Sequence, residues 1–309
     1  MSMLLIAIFS LNRAILLEAL LNSVTKNLLS DDGLVSIKVL YGSTDEKFEE
    51  GYHILKVKIK DNRIEFIRKE LGKYQTDLSL LLRPRNFWYY LKYPFFRVTA
   101  KIYNFKELLE KMLKESNSSC VSFFTDDSLI LEKIKITPEI LSLVNADPEQ
   151  NSFSLRHGLN IRNNPSSIKS YKGFYSWKFD ELYNDSHWSY RFSIDGHIYN
   201  TKFILSFIKR ILYVNPNSFE GVVCQYAKIK NKLSQGYCLS NSVLAGFEVN
   251  RVQTAFANNN LDIDNAMLND FFLKGFQLNY IFDKENVKDF RPKLINIQLS
   301  SPSETINLL

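Results

Sequence analysis

The chain has 309 residues, 45% hydrophobic and 23% charged, which suits a large folded core and excludes a disordered composition. Its formal charge of +6 comes without a dense Lys/Arg run or zinc-finger spacing, which disfavours nucleic acid and leaves an anionic ligand, an anionic membrane face or a solvated lysine-rich surface. Cys120, Cys224 and Cys238 are widely spaced and odd in number, so they form no disulfide framework or paired-cysteine metal knuckle and suit a reducing compartment.

Residues 3–9 form a continuous apolar run, the pattern of a strand buried on both faces. The run is too short to span a bilayer and no basic segment precedes it, so a cytoplasmic protein is expected. Ile15, Leu16, Ala19, Leu20 and Val24 recur at helical spacing over residues 14–29, and Ser30-Asp31-Asp32-Gly33 stops that helix. A second strand over 34–41 alternates Val35, Ile37 and Val39. This βαβ order implies a parallel sheet. Segments 52–59 and 63–67 read as further short strands. Residues 78–100 interleave Arg83, Arg85 and Arg97 with Phe, Trp and Tyr, as an acceptor lid, a membrane-facing surface or a buried aromatic segment would.

Residues 105–114 read as an amphipathic helix. Cys120-Val-Ser-Phe-Phe124 reads as a buried strand that runs directly into Thr125-Asp126-Asp127-Ser128. Thr137 and Pro138 open another helix as N-cap and first helical residue. After Asp147 the texture becomes aromatic and loop-rich up to about residue 200. Helices follow at 201–212 and 219–232, separated by a turn at Asn215-Pro216-Asn217. The polar end of the chain, after Lys293, is expected to fray.

Four groups of residues can carry chemistry. Asp126 and Asp127 follow an apolar strand, where open α/β sheets bind ligands, and oxygen ligands of this kind suit Mg²⁺ or Mn²⁺ on a diphosphate. The plain alternative is a turn with an N-cap. The ends of the first two strands, Ser10-Leu-Asn12-Arg13 and Gly42-Ser43-Thr-Asp45, fall on the same sheet edge. They offer small residues for close approach, Asn12 and Asp45 for a base or ribose, and Arg13 for a phosphate. Neither end carries a dinucleotide fingerprint or a P-loop. Asp195, among Trp188, Tyr190 and His197, is a candidate general base in a sugar pocket, and Asp195-Gly196 equally signals a hairpin turn. Arg251 is a candidate for a diphosphate, with Asn250 or Gln253 for a sugar hydroxyl; a polar helix face is the alternative.

The opening βαβ with Ser10-Leu-Asn-Arg13, the Gly-Ser-Thr-Asp45 strand end and Phe124-Thr-Asp-Asp127 together resemble the GT-A-type nucleotide-sugar glycosyltransferases, close to the family-2-like group. The family's three-position acidic motif reads Thr125-Asp126-Asp127 here. The resemblance implies an α/β fold, GT-A-like, with a Rossmann-like mixed sheet flanked by helices and an aromatic-rich C-terminal acceptor region. It implies a donor half over 1–145, an acceptor and catalytic half over 146–295, and a tail over 296–309. The donor would be a nucleotide-diphosphate sugar, UDP favoured, held by Ser10, Asn12, Arg13, Ser43, Asp45, Asp126 and Arg251. Mn²⁺ or Mg²⁺ would sit at Asp127 with Asp126 beside it. Asp195 would be the base of an inverting displacement, and Trp188, Tyr190 and His197 would meet the acceptor: a glycan, a lipid-linked carrier or a protein. Cytoplasmic action, with peripheral contact at the inner membrane face left open, follows. A nucleotidyltransferase and a non-catalytic carbohydrate-binding or envelope-associated module are the alternatives.

Overall fold

The computed structural model describes residues 3–70, 104–161, 164–181, 187–247, 249–250, 261–288 and 291–309. The basic-aromatic stretch at 78–100, Arg251 and Gln253 lie outside the described residues.

The chain opens with β1 (Leu4–Leu11), α1 (Ala14–Asn27), β2 (Leu28–Ser30), β3 (Val35–Gly42), α2 (Glu46–Lys58) and β4 (Ile64–Arg68). Then come α3 (Phe105–Ser116), β5 (Cys120–Thr125), β6 (Ser128–Ile130), β7 (Ile134–Ile136), α4 (Pro138–Ala146) and β8 (Asn151–Ser154). The next stretch holds β9 (Lys169–Tyr171), β10 (Phe174–Lys178), β11 (His197–Asn200), α5 (Thr201–Ile208) and α6 (Pro216–Ile229). Last are β12 (Gln235–Cys238), β13 (Leu244–Gly246), α7 (Asn265–Leu273), β14 (Gln277–Lys288), β15 (Arg291–Ser300) and β16 (Thr305–Asn307).

Among the described residues, nine strands form one mixed sheet in the order β4-β3-β1-β5-β11-β8-β12-β10-β9. β1 pairs in parallel with β3 and with β5, whereas β11 runs antiparallel to β5. The apolar run of β1 is explained by what lies on its two faces. Leu4, Ile6 and Ile8 join one core with residues of α1, α2, α4 and α7. Leu5, Ala7 and Phe9 join a second core with residues of α3, α5 and α6. Alternate side chains point to opposite sides of a strand, so a central strand must be apolar throughout. The molecule is therefore a mixed α/β sheet with helices on both faces. No helix among the described residues is long and apolar enough to cross a membrane.

Three local expectations change. Residues 52–59 are not a strand; most of them belong to α2, whose N-cap Asp45 accepts from the Phe48 amide at 3.0 Å. The Tyr, Ile and Val content favours a strand, but only Gly51, Tyr52 and Leu55 of this helix are buried. Asp195-Gly196 makes no hairpin: a turn at 194–196 feeds β11 and no strand precedes it. Gly196 has φ +75° and its amide donates to the Phe123 carbonyl at 2.7 Å, so the turn is bound to β5. The end of the chain, expected to fray, is β15 and β16 of a three-stranded antiparallel sheet, with Ile297 and Leu299 buried.

Candidate active site

β1 lies between β3 and β5, so the chain leaves it in one direction for β3 and β4 and in the other for β5. The helices follow suit, with α1 and α2 in one core and α3 in the other. That is a topological switch point, and the crevice beyond the carboxyl ends of such strands is where open α/β sheets take ligands. Ser10 and Arg13 stand at the end of β1, and Asp126 and Asp127 at the end of β5.

These four residues meet. Arg13 Nη1 donates to Asp126 Oδ1 at 3.0 Å and to Asp127 Oδ2 at 3.2 Å, while Nη2 donates to the Asn250 carbonyl at 2.6 Å. Ser10 Oγ donates to Asp126 Oδ2 at 2.8 Å and lies 2.6 Å from the Tyr52 hydroxyl, which also accepts from the Arg13 amide. Lys69 donates to the Ser10 carbonyl at 3.0 Å. Burial pulls the Lys69 ammonium down to about 8, with the Asp126 charge opposing. Burial alone would lower the Arg13 guanidinium, but the Asp126 and Asp127 charges outweigh it and raise it above its ordinary value. Burial raises the Asp126 carboxyl, against Arg13 and Ser10. With a guanidinium on one oxygen and a hydroxyl on the other, the ionised form is the one this geometry satisfies.

The end of β3 is spent on local structure. Asn12 has φ +59°, its Nδ2 donates to Thr44 Oγ1 and its Oδ1 accepts from the Thr44 amide, so it ties the two strand ends together. Ser43 Oγ donates to Glu49 Oε2 at 2.6 Å, and Asp45 caps α2.

Asp195 is brought to the same edge. Thr125 Oγ1, one residue before the acidic pair, donates to Asp195 Oδ1 at 3.0 Å across 70 positions of sequence. Arg156 Nη1 donates to Asp195 Oδ2. The Asp195 side chain keeps 25% of its surface exposed.

Two of the expected acceptor residues are interior. Trp188 and His197 are each 1% exposed and pack around His157, whose ring centroid lies 4.5 Å from that of Trp188 and 5.2 Å from that of His197. Burial pulls His197 down to about 3, so it is a neutral core side chain. A ring with no accessible face cannot stack on a sugar, which corrects both assignments. Tyr190 is 40% exposed and remains accessible.

Among the described residues no group of three or more His, Cys, Asp or Glu side chains is placed to hold a metal. Asp126 does not fit a metal ligand, because both its oxygens are engaged and its side chain is 5% exposed. Asp127 does fit: its side chain is 18% exposed, and among the described residues only Oδ2 has a partner, Arg13. One carboxylate plus substrate phosphates is a common way to hold Mg²⁺.

Tyr52, Lys69 and Arg156 have no part in the site as read from sequence. Tyr52 reaches it from the middle of a helix, Lys69 from the end of β4 and Arg156 from the loop after β8.

The fold and site thus define an open α/β sheet with a cluster of charged side chains at its switch point. No family model matches the chain, and no curated protein matches it. Among solved structures it is similar to S. aureus TarS, at 16% identity over 79% of this chain and 36% of that one, with a TM-score of 0.42. It is likewise similar to TarS 1–349 in complex with UDP, at 16% identity over 79% and 59%, TM-score 0.43. The complex of TarS 1–349 with UDP-GlcNAc gives 17% identity over 79% and 57%, TM-score 0.39. The chain spans between 36% and 59% of the length of these structures. The likeness is distant, and the fold description rests on the strand order given above.

Proposed function

We propose that the chain is a GT-A-like glycosyltransferase that moves a sugar from a nucleotide-diphosphate sugar, UDP favoured, to an acceptor hydroxyl. The observation that carries this reading is one contact: Thr125 joins the Arg13–Asp126–Asp127 network at the switch point to Asp195. A charged diphosphate site and a candidate base then share one edge of one sheet.

In this reading the donor lies beyond the ends of β1, β3 and β5. Arg13, the residue before the first turn of α1, offsets the charge of the acidic pair and sets the N-terminus of α1 at the sheet edge where the diphosphate would lie. Asp127 would hold Mn²⁺ or Mg²⁺, which, when bound, supplies positive charge against the departing nucleotide diphosphate. Asp126 orders Arg13 instead of binding metal. Asp195, fixed on one oxygen by Thr125 and on the other by Arg156, takes the proton from the acceptor hydroxyl. The acceptor oxygen bonds to the anomeric carbon as its bond to the diphosphate breaks, so configuration inverts. The acceptor is a glycan, a lipid-linked carrier or a protein. The reading implies work in the cytoplasm, at the inner membrane face for a lipid-linked acceptor.

The test is release of nucleoside diphosphate from a panel of nucleotide sugars, with Mn²⁺ present. We expect one donor to be turned over, by transfer or by slow hydrolysis. Asp195→Asn should lower kcat by roughly 10² to 10⁴ with little change in the donor KM. No turnover of any donor, or an Asp195→Asn enzyme as fast as the wild type, counts against the proposal.

A further inference from the structure

Glu220 belongs to no motif, yet it touches the turn that presents Asp195. It lies near the start of α6, which is fixed by a capping box between Asn215 and Ser218 and by Phe219, a ring fully buried against Phe105, Phe123 and Phe192. From there Glu220 Oε1 accepts from the Ile194 amide at 3.0 Å. The rest of the turn is as firmly held. The Ser193 amide donates to the Tyr199 hydroxyl, the Asp195 amide to Ser193 Oγ, and the Gly196 amide to Phe123. A carboxyl aimed at the residue before a candidate base serves more than packing.

We propose that Glu220 is the positioning residue for Asp195: its carboxyl holds the turn at 193–196 through the Ile194 amide and so fixes where the Asp195 carboxylate stands. This rests on the reading of Asp195 as the base. The groups facing Glu220 are Asp195 and Ser193 from the turn, Arg156 from the loop after β8, Tyr190 and Tyr199 on either side of the turn, and Cys224 one turn further along α6. Of these, Arg156 is the cation, and it is already bonded to Asp195. Burial and the Asp195 charge together push Glu220 up to about 7.

The test is carboxyl ¹³C NMR of the full chain against pH, in wild type and Asp195→Asn, followed by donor turnover in Glu220→Gln and Glu220→Ala. Glu220 should titrate at about 7, and Asp195→Asn should move it down. Glu220→Gln keeps an acceptor for the Ile194 amide, so it should fold normally and lose the near-neutral limb of the pH profile. Glu220→Ala should lower kcat with the donor KM unchanged. A Glu220→Ala enzyme with the wild-type kcat and pH profile, or a Glu220 carboxyl that ignores Asp195→Asn, overturns the proposal. If Glu220 titrates as expected but the wild type turns over no donor, the hold of Glu220 on the turn stands and the base assignment falls.

Discussion

Asp126 and Asp127 are adjacent in sequence, but the protein uses them differently. Asp126 is 5% exposed and holds Arg13, itself 10% exposed, while Asp127 is 18% exposed and has one oxygen with no partner among the described residues. Breaking a buried ion pair strands the remaining charge, which typically costs about 3–5 kcal/mol. Asp126→Ala should therefore destabilise the fold by about that amount, and Asp127→Ala by roughly 1 kcal/mol or less. Urea unfolding of the two variants checks this; equal losses would show that Asp126 is not the buried strut described here. Ser10, Arg13 and the acidic pair are legible in the sequence because polar residues directly after apolar strands announce a sheet edge. Tyr52, Lys69, Arg156 and Glu220 are not, because nothing local marks a side chain that arrives from another element. Trp188 and His197 mislead for a related reason: an aromatic beside a carboxylate reads the same whether it faces a sugar or the core.

At the scale of elements, the buried cluster of His157, His197, Trp177 and Trp188 ties the loop after β8 to the first residue of β11 and to β10. Both histidines are held below their ordinary value, first by burial, His197 at about 3. A histidine lowered in the folded state takes up its proton first in the unfolded chain. Its stabilising contribution is whole above about pH 6.5 and is lost as pH falls, until the native ring also protonates near 3 for His197. For His197 we expect acid destabilisation of roughly 2 kcal/mol by pH 5. His197→Gln should flatten the slope of unfolding free energy against pH across that window; an unchanged slope would mean that His197 is not the titrating group. Helix α2 and the closing strands also mark where local pattern fails. The Asp45 cap outweighs the strand propensity of 52–59, and polar residues near the C-terminus alternate with buried Ile297 and Leu299 along a sheet.

For the whole molecule, the near half of the sheet is legible and the far half is not. The apolar run of β1, the alternation in β3 and the run of β5 each betray a strand, and short connections make β1 and β3 neighbours. The pairing of β8 with β12 joins segments separated by two helices, and no spacing in the sequence announces it. The proposed function puts a nucleotide diphosphate at the switch point between β1 and β5, with Asp127 as its metal contact. The most direct test is thermal unfolding with UDP and other nucleotides, with Mn²⁺ and with EDTA, in wild type and Asp127→Ala. A ligand at ~100 times its dissociation constant adds roughly 2.7 kcal/mol. A nucleotide diphosphate with Mn²⁺ should raise the unfolding temperature, and EDTA or Asp127→Ala should abolish the rise. No shift with any nucleotide in the presence of metal would contradict the proposed function.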